Sequence, residues 1–297
     1  MSWRHIMITQ NARLSVKNKQ LIIQREEILT IPLQDIASIL IEAPAVTITS
    51  SLLSQCVDHK ISLITCSDKK LPNGILTGYH QHSRQLTVLK TQLGLSKPFK
   101  KRIWQRIVVQ KILNQAYCLD YLSKEGAKEL ENIAKTVESG DSSNREAYAA
   151  RKYFLYLFGD SFSRRSDSEL NKYLNYGYSI MRSAVARSLT NYGFTTCLGI
   201  DHDNQLNSFN LADDFMEVLR PIVDCHVAQQ ELDQWDTQTK ADIVNLLNMN
   251  VYIDGSHRSI TTAIDDITKS FIACCRQQDP LYLKLPKVLP LRVHQYE

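Results

Sequence analysis

The sequence predicts an α+β chain in two parts: a small N-terminal β-sheet domain, residues 1–80, followed by a larger all-α C-terminal domain, residues 81–297. The hydrophobic pattern predicts this first. Short runs of Ile, Val and Leu broken by turn formers extend to about His82, and long stretches with apolar residues at helical spacing follow. Charge marks the same division. Residues 69–119 hold ten Lys or Arg and no acid, and residues 1–25 hold five and no acid. Those 76 positions carry 15 of the 35 basic residues, and the other 221 have a net charge of −11, so the overall +4 averages a basic junction and an acid-rich body.

In the first domain the strand candidates are residues 3–9, 12–16, 21–24, 27–31, 36–42 and 61–66, with Lys17-Asn18-Lys19 as a hairpin turn. One helix interrupts them, capped by Thr49 or Ser50, with Leu52, Leu53, Cys56 and Val57 on its apolar stripe. Pro72-Asn73-Gly74 reads as a turn. Helices are then expected over about 98–136, 144–157 and 167–192, the last stopping at Gly193. Another starts near Phe209 with a kink at Pro221, and two more cover 230–247 and 260–277 with a turn at Asp254-Gly255 between them. Pro280, Pro286 and Pro290 keep the tail out of a helix.

Composition narrows the function. No apolar run is long enough to span a bilayer and residues 1–5 alternate too quickly for a signal-peptide core, which points to a cytoplasmic protein with no membrane partner. The seven cysteines contain no CxxC pair, so neither a zinc ribbon nor a redox motif is expected. With no phosphate-binding glycine loop, a nucleotide-dependent reaction is not indicated.

Three segments of the second domain carry chemistry. Glu146 shares a helical face with Ala149, Ala150 and Tyr153, an odd place for an acid unless it has a partner or a cation. His202 sits in the polar loop Asp201-His202-Asp203-Asn204 after an apolar stretch. Asp213, Asp214 and Glu217 crowd adjoining faces of one helical turn, an arrangement of like charges that a cation would relieve. Carboxylates with one imidazole form the ligand set of Mg2+ or Mn2+ rather than of zinc. Beside a basic surface, such a set suggests phosphodiester chemistry.

These segments resemble the CRISPR-associated endonuclease-integrase family, the larger of the two adaptation proteins that insert new spacers, and most closely its type II branch. The resemblance rests on residues 209–217 (FNLADDFME), on Leu174-Asn175-Tyr176-Gly177-Tyr178 with Arg182, on Leu198-Gly199-Ile200 with His202, and on Arg220-Pro221 with Asp224. It implies that Glu146, His202 and Glu217 are the metal ligands, with Asp214 supporting them. Two departures touch loop geometry: Ala147 stands where a glycine is common, and no proline precedes Leu198.

The implied reaction is attack of a 3′-hydroxyl of a short DNA fragment on a phosphodiester of the repeat array, a transesterification that needs no ATP. The basic residues expected to meet double-stranded DNA are Lys97, Lys100, Lys101, Arg102, Arg106 and Lys111, with Arg151, Lys152, Arg182 and Arg187 nearer the metal. Trp104 and Tyr117 fall on the apolar stripe and are expected to pack in the core. The resemblance further implies a homodimer through the β domain, a heterohexamer with the smaller adaptation protein, and contact with a type II effector nuclease and a ring-shaped DNA-end protein. A structure-selective DNase that does not integrate would share these features, whereas a non-catalytic DNA scaffold would not need the three ligands.

Overall fold

The computed structural model describes residues 3–68, 70–76, 78, 82–230 and 235–295. The chain forms two compact units, Met1–Ser83 with Asp236–Asn245, and Arg84–Trp235 with Leu246–Glu297. The boundary expected at 80/81, Lys69 at the head of the acid-free run, and residues 231–234 of the expected 230–247 helix lie outside the described residues.

The first unit runs β1 (Arg4–Ile8), β2 (Ala12–Lys17), β3 (Gln20–Gln24), β4 (Ile28–Pro32), β5 (Ile36–Ile41), β6 (Val46–Ile48), α1 (Ser50–Asp58), β7 (Ser62–Cys66) and β8 (Pro72–Leu76). They form two four-stranded sheets, ordered β1-β5-β7-β8 and β4-β3-β2-β6. Asn18 and Lys19, both at positive φ, close the β2–β3 hairpin with the twist its strands require. Thr49 caps α1, its Oγ1 accepting the Leu52 N–H at 3.3 Å. Ile8, Leu14, Leu21, Ile36, Ile39, Leu52 and Leu63 fill the core. The turn expected at Pro72-Asn73-Gly74 is instead the start of β8, and the reversal comes earlier, where the Ser67 N–H donates to Leu71 O. Proline is tolerated there because it opens an edge strand.

The second unit contains α2 (Gln85–Leu93), α3 (Lys97–Tyr121), α4 (Ala127–Ala134), α5 (Arg145–Phe158), α6 (Glu169–Asn191), α7 (Asn210–Met216) and α8 (Arg220–Ala228). α9 (Thr237–Asn245) belongs to the first unit and contacts β1 there. β9 (Met249–Ile253), β10 (Ser256–Ser259), α10 (Ile260–Gln277) and β11 (Lys287–Val293) complete the second unit. The fold class is as expected, but the helical part also carries a small antiparallel sheet ordered β10-β9-β11. Asp254-Gly255, both at positive φ, is the turn of the β9–β10 hairpin and does not join two helices.

The expected 98–136 helix is two helices, because Ser123 and Gly126 adopt left-handed φ of 54° and 94°. Only glycine fits at 126: a Cβ there would lie 2.2 Å from the Tyr156 ring. The helical run that begins at Asn210 is broken, as expected, at Pro221: a 3-10 turn over Glu217–Leu219 precedes it, and the proline lies in the first turn of α8, where its missing N–H costs nothing. α3 is the hub. It buries residues all round, including Ile103, Trp104, Ile107, Ile112 and Leu119, and touches α4, α5, α8 and β11. The Cys274 and Cys275 thiols are buried in α10 and pushed up to about 12, which makes them inert packing residues.

Candidate metal centre

Three elements meet around Lys111. It projects from the middle of α3 and is only 6% exposed. Its Nζ lies 2.5 Å from Glu146 Oε1, in the first turn of α5, and 2.5 Å from Glu217 Oε2, in the single 3-10 turn joining α7 to α8. The other Glu217 oxygen accepts the Arg220 Nε–H at 2.8 Å. Burial alone would push the Glu217 carboxyl up, but Arg220 and Lys111 outweigh it and hold the group down at about 2. Burial likewise works against the Lys111 charge, and Glu217 and Glu146 together raise its pKa regardless.

α5 starts where it does because Asp141 accepts the N–H groups of Arg145 (2.8 Å) and Glu146 (3.0 Å), two of the donors a helix start leaves unpaired. This fixes the backbone of Glu146. Ala149 and Tyr153, on the face it shares, are fully buried.

Asp214 organises the His202 loop. Fully buried on α7, it accepts backbone N–H groups from Ile200 (2.5 Å), Asp201 (3.3 Å) and His202 (3.1 Å), and its Oδ1 is 2.8 Å from His202 Nδ1. That side-chain contact raises the His202 pKa against the effect of burial. The fold that wraps the loop around Asp214 demands glycine at 199, where a Cβ would lie 2.1 Å from His202 O. Gln92, buried on α2, clamps the loop through Thr195 and Leu198, Asn210 ties Cys197 to Asn204, and Lys100 Nζ donates to Gly199 O at 2.9 Å. Trp104 packs in the core as expected, its ring edge-on to His202 at 5.7 Å between centroids.

The three crowded acids are relieved one at a time rather than by one shared cation. Asp213 takes a bidentate pair from Arg182 (2.7 and 3.1 Å) and a bond from Asn207, Asp214 holds the loop, and Glu217 faces Lys111 and Arg220.

The basic residues expected at DNA divide in two. Lys97, Lys101 and Arg102 in the first turns of α3, and Arg151 on α5, are exposed. The others are engaged within the unit: Lys100 with the His202 loop, Arg106 with Leu283 O, Lys111 with the two glutamates, Lys152 with Glu129 at 3.2 Å, and Arg182 with Asp213. Arg187 is half-buried, and its desolvation lowers its pKa. Lys111 in particular is buried and paired with the two glutamates rather than displayed with the exposed basic residues.

Sequence reasoning missed Gln92, Asp141, Asn210 and Arg220 as site-forming residues and misjudged the direction of Lys111. The last had a signal: Trp104, Val108, Lys111, Gln115 and Cys118 follow one buried helical stripe.

Among the described residues no three His, Cys, Asp or Glu side chains come close enough to hold a metal ion. The donors still fit a hard divalent cation. Glu146 and Glu217 already share one positive centre 2.5 Å from each, and the Nδ1 contact with Asp214 leaves His202 Nε2 as the ring nitrogen for a ligand.

Residues 6–248 match the family described as CRISPR associated protein Cas1. The chain is 43% identical, over 304 aligned residues and 100% of both sequences, to a CRISPR-associated endonuclease Cas1 of Neisseria meningitidis serogroup C (strain 8013). Among solved structures it is similar to a casposase bound to integration product, with a TM-score of 0.80 at 18% identity over 99% of this chain and 97% of that one. It is also similar to a chain of a Cas6-RT-Cas1–Cas2 complex, with a TM-score of 0.73 at 18% identity over 97% of this chain and 36% of that one. Those two likenesses show the fold. The family match across most of the sequence, with the Neisseria relative covered end to end, establishes that this chain belongs to the Cas1 family of CRISPR-associated proteins.

Proposed function

We propose that Glu146, His202 and Glu217 carry the endonuclease and integrase activity of this Cas1-family protein in CRISPR spacer acquisition, holding one Mg2+ or Mn2+ ion beside DNA. The observation that supports this best is the pairing of two glutamates from separate helical segments on a single buried positive charge, with a histidine oriented by Asp214 within electrostatic reach of Glu217. Catalysis in the family depends on a divalent metal, which, when bound here, would polarise the phosphoryl oxygen and stabilise charge on the departing oxygen.

The chain's own residues prepare that chemistry. Arg220 and Lys111 keep Glu217 ionised across the neutral range. Asp214 fixes the tautomer and direction of His202 by occupying Nδ1. Lys97, Lys101 and Arg102, on the exposed first turns of α3, and Arg151 bind backbone phosphates and bring a phosphodiester to the ligands. A 3′-hydroxyl then forms one P–O bond as another breaks, so the reaction needs positioning rather than an energy source.

The homodimer is assigned to the first unit, where β4 is an edge strand with Ile28 and Leu29 exposed at 64% and 54%. The likeness to a chain of a Cas1–Cas2 complex supports a smaller protein partner. The test is a strand-transfer assay with a 3′-hydroxyl donor and a repeat-containing plasmid. Glu146→Ala, His202→Ala and Glu217→Ala should each abolish joining in Mn2+ and Mg2+ while thermal melting remains cooperative; full activity in any one removes that residue from the centre.

A further inference from the structure

We infer that Lys111 is an internal counter-cation that competes with the divalent metal for Glu146 and Glu217, so that loading the centre requires its ammonium to leave both carboxylates. The inference rests on the metal-site reading above and goes beyond it by giving a residue outside the ligand set control over metal affinity.

The geometry carries it. Lys111 Nζ sits 2.5 Å from an oxygen of each glutamate, so its ammonium fills the space between the two carboxylates that a cation held by both would take. Each Glu217 oxygen has a cation against it, Oε1 the Arg220 guanidinium and Oε2 the Lys111 ammonium, so a metal at Oε2 would meet the Lys111 charge directly. Arg220 is the fixed partner: its guanidinium also lies over the Tyr178 ring at 4.6 Å, and the Tyr178 hydroxyl donates to Asp224. Lys111 ends a flexible four-carbon stem that can withdraw along α3.

Charge balance points the same way. Two carboxylates, Lys111 and Arg220 sum to zero in a cluster centred on the buried Lys111 and Glu217. A divalent ion added with Lys111 in place would leave that cluster with a charge of +2, with two positive centres a few ångströms apart where water screens them poorly. The ammonium therefore holds two acids together and ionised without metal, and it weakens the metal's hold on them.

The full-length protein tests this with three variants, Lys111→Met, Lys111→Gln and Glu146→Gln. Mn2+ binding is read by calorimetry without DNA, and melting is read in chelator and in Mn2+. The expected result is that Lys111→Met binds Mn2+ about tenfold tighter or more than the parent. It should also melt lower than the parent in chelator and recover more on adding Mn2+. Glu146→Gln should bind weakly, which shows that Mn2+ is reporting this site. If Lys111→Met does not fold, Lys111→Gln, which keeps a donor for the carboxylates, should show the same order. If the parent binds Mn2+ and neither lysine variant binds more tightly, the counter-cation role is overturned and the metal site stands. If no form binds Mn2+, both fall together.

Discussion

Glu217 and Asp224 are both buried acids on the same stretch of chain, and burial pushes both upward, yet they end on opposite sides of the ordinary carboxylate range. Glu217 is held at about 2 by two cations in contact. Asp224 rises to about 6, because the Tyr178 hydrogen bond and Arg220 only partly offset its burial. The two groups give opposite pH dependence. A carboxyl whose folded pKa is raised stabilises the fold below its unfolded pKa, near 4, and loses that contribution as pH climbs to about 6. The loss for Asp224 is about 3 kcal/mol. Asp224→Asn, which keeps an acceptor for Tyr178, should therefore gain stability relative to the parent between pH 4 and 6 in denaturant titrations; parallel curves would show that Asp224 stays charged in the fold. At this scale the acids and the histidine were legible because acids on an apolar helical face stand out in a sequence. Their partners were not. A lysine inside a basic run looks like surface, and Gln92 and Asn210 act through backbone groups that no spacing rule reveals.

Single elements depend on local chemistry that is partly visible in sequence. The strands of the first unit and α1, with its Thr49 cap, were readable from alternation, turn residues and capping. β6, only three residues long, was not, and α2 is too weakly patterned to separate from its surroundings. The C-terminal hairpin was missed because Asp254-Gly255 signals a turn equally well between strands or helices, and the break within the expected 98–136 helix was missed because it depends on backbone geometry at Ser123 and Gly126. α5 shows how an element positions chemistry. Asp141 precedes it and accepts two of its first N–H groups, one from Glu146 itself. Asp141→Ala should cost about 1–2 kcal/mol in chemical denaturation and should reduce strand transfer by loosening Glu146. Asp141→Asn should recover only part of the stability, since its single amide oxygen can accept one of the two N–H groups that the carboxylate oxygens accept separately; a variant as stable as the parent would show that the second acceptor contributes nothing.

At the scale of the whole molecule, the first unit is discontinuous: α9 joins strands that precede it by more than half the chain. The join is a buried ion pair, Lys240 Nζ to Glu42 Oε1 at 2.7 Å, both side chains 7% exposed. Lys70 Nζ adds a bond to Glu42 O. No composition argument could have found this, because the pair links a β strand end to a helix across 198 residues. Lys240→Met leaves Glu42 buried without its cation and should cost about 3–5 kcal/mol. Hydrogen exchange should show the loss in β1, β5 and β7 while α3 keeps its protection; a uniform loss would mean that the two units unfold as one.

The same pair sets a timetable for synthesis. Glu42 leaves the ribosome 198 residues before Lys240, an interval of roughly 10–40 s at ordinary translation rates. During that time the nascent sheets carry an acid whose buried position has no counter-charge, and β1 waits for the helix that covers it. The N-terminal unit, made first, is thus completed late, and a nascent chain stalled before residue 240 presents unfinished strands to chaperones and proteases.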